Sequence, residues 1–145
     1  MKNVGPRANI LKASEKLSIR LEAAGSKQQY PSAYVLFRED GNSQGVFFVR
    51  SGKVRMSVRN LPKLNRNFGV GSVLGLPSTF TGHPYSLTAE TVAESEIVHV
   101  PRGQFLELMR EQPDLCREAT DMLGREVTFI QSALAQRRRQ LAAVL

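Results

Sequence analysis

The sequence contains no tryptophan, one cysteine and two histidines, and each shortage excludes a class of chemistry. With Cys116 alone there is no internal disulfide, no four-thiolate zinc site and no iron–sulfur cluster held by this chain by itself. His83 and His99 are too few for the multi-histidine metal centre of a cupin-type barrel. Haem would need an axial ligand, for which His83, His99 and Cys116 are the only soft candidates. No apolar run approaches the roughly 18 residues that read as a membrane span, and the first residues carry no secretion-type apolar stretch. Acidic residues are also scarce: 13 Asp and Glu against 20 Lys and Arg leave a formal net charge of +7. Such a surface attracts nucleic acid weakly and without sequence preference. The basic residues cluster tightly only at Arg137–Arg139, and no groove-reading motif accompanies them. The expectation is a cytoplasmic protein with no membrane contact, no metal or haem, and no sequence-specific DNA reading of its own.

What is present reads as one domain of 145 residues, 41% of them hydrophobic, in three zones. From Pro6 to Ala24, Ile10, Ala13, Leu17, Leu21 and Ala24 recur at helical steps, with Pro6 suited to a helix start and Gly25 to its end. Residues 1–29 are therefore assigned to an N-terminal helical segment. Residues 30–112 are strand-rich. Lys53-Val-Arg-Met-Ser-Val-Arg59 alternates cleanly, with Val54, Met56 and Val58 on one face. Val46-Phe-Phe-Val49 precedes it across the Ser51-Gly52 turn, Tyr34–Phe37 is another strand, and Ser86–Val92 and Glu96–Val100 are two more. Short strands between Gly, Asn and Pro turns imply a sandwich, roll or barrel. Pro101–Met109 reads as a short helix buried through Phe105, Leu108 and Met109.

Residues 113–145 read as one long helix that starts at Pro113, with Asp114 in its first turn. At 1.5 Å per residue it is about 50 Å long. Leu123, Val127, Ile130, Leu134 and Leu141 form a heptad-like stripe, Arg137 occupies the skipped position, and Val144 continues the series. An apolar stripe on a projecting helix predicts a homodimer seam.

The segment Gly71-Ser-Val-Leu-Gly-Leu-Pro-Ser-Thr-Phe-Thr-Gly-His-Pro-Tyr-Ser-Leu-Thr-Ala-Glu90 carries the functional signal. A glycine turn leads into a short helix-like stretch, a second glycine ends it, and a strand follows. The order of elements, with Val35-Leu-Phe37, Glu39-Asp-Gly41, Ser51-Gly-Lys-Val54, Gly71–Gly75, Thr88-Ala-Glu90, Val100-Pro-Arg-Gly-Gln-Phe105 and Glu111-Gln-Pro-Asp114, resembles the cyclic-nucleotide-binding domain family. Within it the resemblance is to the sensor domain of Crp/Fnr-type bacterial transcription regulators. It implies a mainly β fold, a jelly-roll-like (double-stranded β-helix) β-roll of eight strands, with an N-terminal helix and a long C-terminal dimerisation helix. It also implies a ligand pocket beside the loop after Gly75. The family's DNA-reading helix-turn-helix domain normally follows the long helix; none is expected within this chain, which reads either as a stand-alone sensor or as a fragment of a longer regulator.

By family position the candidate ligand residues are Gly75, Leu76, Pro77, Ser78, His83, Tyr85 and Ser86. In nucleotide-binding members a glutamate after the glycine takes the ribose 2′-hydroxyl, and a later arginine holds the cyclic phosphate. Here the glutamate position holds Leu76 and the arginine position holds His83 or Tyr85. Losing both charged contacts disfavours cyclic AMP and cyclic GMP. The expected function is a sensing and dimerisation module with a degenerate pocket. The alternatives are a sensor of another small anion, or a ligand-free interaction domain in which Leu76, Pro77 and Phe80 fill the pocket. Nothing points to an enzyme. Ser78, Thr79, Thr81 and Ser86 have no accompanying base-plus-acid constellation, and Glu90, Glu94 and Glu96 read as a solvated face. His99 reads as a satisfied strand histidine and Cys116 as a packed small residue.

Overall fold

The computed structural model describes residues 10–144. Helix α1 (Glu15–Ala24) leads into β1 (Ser26–Tyr30), β2 (Val35–Phe37), β3 (Val46–Ser51), β4 (Val54–Ser57), β5 (Arg66–Phe68) and β6 (Val73–Leu74). Then come α2 (Leu76–Thr81), β7 (Thr88–Thr91), β8 (Ser95–Val100), α3 (Arg102–Glu111) and α4 (Pro113–Val144). The strands form two four-stranded sheets, ordered β1-β8-β3-β6 and β2-β7-β4-β5, and every pairing within them is antiparallel. This is the expected β-roll with its flanking helices.

The core explains the sequence pattern. In β4, Val54 and Met56 are buried while Arg55 is exposed, as alternation requires. In β3, Val46, Phe47, Phe48 and Val49 are all buried, so both faces of that strand are covered. Helix α1 lies over this sheet and inserts Leu17 and Leu21, neither of which retains any exposure. Truncating either to alanine should cost about 2–5 kcal/mol. Gly25 makes the approach possible, since a Cβ there would lie 2.6 Å from the His99 carbonyl oxygen and 2.7 Å from Val98 Cγ1.

Two boundaries differ from expectation. The helix that carries Leu17 and Leu21 begins at Glu15, and residues 10–14 before it are not helical; the expected start at Pro6 lies outside the described residues. Ser14 sets the start, because its hydroxyl accepts the Leu17 N–H at 3.1 Å and competes with continued helix on its N-terminal side. Before it the backbone is extended: Lys12 bridges Ser72, and the Ala13 N–H donates to the Gly71 carbonyl at 2.8 Å. The roll also begins earlier, at Ser26 rather than residue 30. Strand β1 (Ser-Lys-Gln-Gln-Tyr) is exposed along nearly its whole length, so it carries no hydrophobic alternation. It is an edge strand held to β8 through its backbone.

The long helix runs unbroken from Pro113 to Val144. Leu115, Ala119, Met122 and Glu126 are buried against the body. The apolar stripe lies one residue on from this face, about 100° around the helix. Leu123 and Ile130 pack partly on the core, and Leu141 is 52% exposed. Arg137 does not burden the stripe, because its Nη1 donates to the Asn60 carbonyl at 2.7 Å on the roll side.

Gly124 lies exposed in α4, and a Cβ there would meet nothing within 4 Å. Gly124→Ala should therefore stabilise the protein by up to about 1 kcal/mol. Calorimetry should show a melting temperature raised by roughly 2–4 °C; a fall would mean that this helix face is covered.

Candidate functional site

The loop after β6 is shaped by two left-handed glycines, Gly75 (φ 93°) and Gly82 (φ 81°), which bracket α2. A side chain at Gly75 would be strained by that φ and would press on the Gly45 carbonyl oxygen at 3.0 Å. The loop's polar groups are spent on the loop itself. Thr79 Oγ1 donates to the Gly75 carbonyl at 2.7 Å and Ser78 Oγ to the His83 carbonyl at 2.6 Å. The Ser43 hydroxyl donates to the Ser78 carbonyl at 3.1 Å. Arg102, at the start of α3, donates from Nε to the Thr79 carbonyl at 2.8 Å, capping the far end of α2.

The candidate residues separate into two groups. Gly75, Leu76, Ser78 and Tyr85 are buried, Pro77 is half-buried, and His83 and Ser86 face solvent. Of the two candidates for the arginine position, it is Tyr85 that reaches the interior. Its ring stacks on Phe37 with centroids 4.0 Å apart. Its hydroxyl donates to the Gly45 carbonyl at 2.7 Å and accepts the Gln44 N–H at 3.0 Å. Burial raises the Tyr85 phenol above its ordinary pKa, against the opposing pull of its hydrogen bonds with Gln44 and Gly45. Tyr85 therefore stays neutral at physiological pH. Leu76, the residue expected at the glutamate position, is 1% exposed.

These side chains leave almost no room. The space bounded by Phe37, Met56, Val73, Leu76, Tyr85 and Leu87 admits about 10 Å³, roughly one water molecule. Small-molecule sites usually measure about 300 Å³ or more. Phe80 takes no part in the filling, contrary to expectation. It turns the other way and packs edge-on against Phe105, with ring centroids 5.5 Å apart. Tyr85 and Leu87 do the filling beside Leu76 and Pro77.

One charged group does reach this wall, and it comes from α4. Glu126 lines the space, and its carboxylate receives both terminal nitrogens of Arg66, at 2.8 and 2.9 Å. The two side chains are 10% and 2% exposed. The Arg66 guanidinium carbon lies 5.1 Å from the Phe68 ring centroid and 4.1 Å from that of Phe129, within cation–π range of both. Its Nε is buried without a hydrogen-bond partner. Neither residue was among the sequence candidates. The available signal was the spacing of Leu115, Ala119, Met122 and Glu126 on the inner helix face, and Arg66 with Phe68 on one face of a short strand.

Elsewhere, His99 Nε2 lies 2.5 Å from the Gln44 carbonyl and its ring stacks on Phe47 at 4.7 Å, so it is a satisfied strand histidine. Cys116 is half-buried, with its sulfur 4.0 Å from Thr120 Oγ1. Among the described residues no three His, Cys, Asp or Glu side chains converge as metal ligands. No helix there is long and apolar enough to cross a membrane.

The family described as "Cyclic nucleotide-binding domain" matches residues 27–112, more than half of the chain. This chain belongs to the cyclic nucleotide-binding domain family. Similar solved structures are regulators of the Crp/Fnr type. The catabolite activator protein of Thermus thermophilus shares 24% identity at a TM-score of 0.71, over 86% of this chain and 59% of that one. The c-di-GMP responsive global regulator CLP of Xanthomonas campestris shares 18% identity at a TM-score of 0.66, over 89% of this chain and 65% of that one. At these identities the likeness is one of fold. Among curated proteins, the mouse (Mus musculus) patatin-like phospholipase domain-containing protein 7 is 20% identical over 127 residues, which is 86% of this chain but 9% of that protein. The chain thus spans less than a tenth of that curated relative, and about three-fifths of the length of the Thermus protein.

The Tyr85 hydroxyl holds the filled pocket together, so Tyr85→Phe should leave the Gly45 carbonyl and the Gln44 N–H unmatched. The expected loss is about 1–3 kcal/mol, read as a lower urea midpoint with an unchanged slope. A midpoint equal to that of the native protein would show that water replaces the hydroxyl without cost.

Proposed function

We propose that this cyclic nucleotide-binding domain is a dimerisation and signal-relay module of a Crp/Fnr-like regulator, and that its pocket takes neither cyclic AMP nor cyclic GMP. The observation that carries this is Leu76, buried where the family places a ribose-binding glutamate, inside a space of about 10 Å³. Both losses act in the same direction. A nucleotide would have to displace packed Leu, Tyr and Met side chains, and would then find no side-chain cation for its phosphate. Arg66, the cation that meets Glu126 behind the wall, is already committed to that carboxylate.

Thermal shift with millimolar cyclic AMP or cyclic GMP tests this. A ligand present at 100 times its Kd would stabilise the fold by about 2.7 kcal/mol, enough to move the melting temperature by several degrees. No movement is expected, and a dose-dependent rise with either nucleotide would refute the reading.

Dimerisation is assigned to the stripe on α4. Val127 and Leu134 belong to the stripe yet are not among the residues packed on the core, which supports their availability to a second helix. Val127→Glu with Leu134→Glu should give a monomer in sedimentation equilibrium while circular dichroism stays native. A dimer that persists in the folded double variant would remove the stripe from the interface.

A further inference from the structure

We infer that the Arg66–Glu126 pair stands in for a bound effector, joining the roll to the long helix across the pocket wall and holding that helix in one setting without ligand. This rests on the reading that the pocket is closed to cyclic nucleotides. The pocket wall is built by the roll, the loop after β6 and Leu11 from the segment before α1, with Glu126 as the one residue that α4 contributes. Any occupant of that space would therefore meet the helix at Glu126. In this chain the carboxylate is instead met from β5, by both terminal nitrogens of Arg66.

Three features suit the pair to setting an angle rather than merely filling space. A two-pronged guanidinium–carboxylate contact is planar and directional, so it specifies rotation of the helix about its own axis. Phe68 on β5 and Phe129 on α4 lie against the guanidinium from both elements. Position along the helix is the third. Glu126 is the last buried residue of α4 among those whose burial is described, 10–143. Upstream, Leu115, Ala119 and Met122 already fix the helix. Downstream, the stripe leads away towards exposed Leu141. Further on, Ile130 packs only partly on the core and Arg137 reaches the Asn60 carbonyl, so the pair sits where α4 passes from fully buried packing to looser ties.

Hydrogen exchange by mass spectrometry tests this on three variants: Glu126→Gln, Arg66→Gln, and the apolar double variant Arg66→Met with Glu126→Leu. Each single variant should exchange at least about tenfold faster over residues 127–140, with amides of β3 and β8 unchanged. The double variant should melt at or above the native temperature, because apolar replacement of a buried ion pair is commonly neutral or stabilising. It should still exchange faster over residues 127–140, since two apolar side chains meet without a specified angle. Native-like exchange in the double variant would overturn the inference, because any filling would then suffice. A uniform increase over roll and helix alike in all three variants would also overturn it, reducing the pair to general stability. Binding of a cyclic nucleotide to the native protein is a separate outcome, which would overturn the reading of the pocket whatever the exchange pattern.

Discussion

Removing a carboxylate and a guanidinium from water costs several kcal/mol for each ion, so Arg66 and Glu126 can occupy the roll–helix junction only by satisfying one another. Both carboxylate oxygens and both terminal nitrogens are matched, and two aromatic rings lie beside the cation. The remaining Nε has no partner, a deficit that cation–π contact offsets in part. A displacement that breaks one prong weakens the pairing of two largely buried charges, so the contact favours one angle of helix against roll. The direction in which the apolar stripe faces depends on that angle.

The loop above this junction shows that shape and ligand chemistry are separable. Its path depends on left-handed Gly75 and Gly82 and on the hydrogen bonds of Thr79, Ser78 and Arg102 to backbone carbonyls. None of these groups needs a ligand. The side chains that would discriminate a nucleotide are separate positions on the same scaffold. Leu76 and Tyr85 are buried under this path and leave little space beneath it.

Regular patterns made most of the architecture legible in the sequence. Alternation in Lys53–Arg59, the apolar run of Val46–Val49 and the long proline-free stretch after Pro113 each led to an element that exists. Strand β1 was hidden because both of its faces meet solvent, and its partner β8 supplies backbone pairing rather than a hydrophobic pattern. The start of α1 was obscured because the periodicity of Ile10, Ala13 and Leu17 continues through an extended segment, and only the Ser14 cap marks the change. At the site, the identities of Leu76 and Tyr85 announced a loss of charge. Sequence spacing could not choose between His83 and Tyr85 as the inward residue; the structure chose by burying the aromatic ring on Phe37. The Arg66–Glu126 contact joins residues sixty apart, and such a pairing leaves no periodic trace.

The ties between α4 and the rest of the molecule are spread along its axis. Asp114 meets Lys16 at 2.5 Å and Glu118 meets Ser14 at 2.7 Å near the start. Glu126 meets Arg66 further on, and Arg137 meets the Asn60 carbonyl near the far end. A force along the helix axis would load all of these ties together, whereas a sideways force on the projecting end would load them one after another, beginning with Arg137. With the ties arranged in this way, the helix would resist a push along its axis more than a sideways pull at its far end.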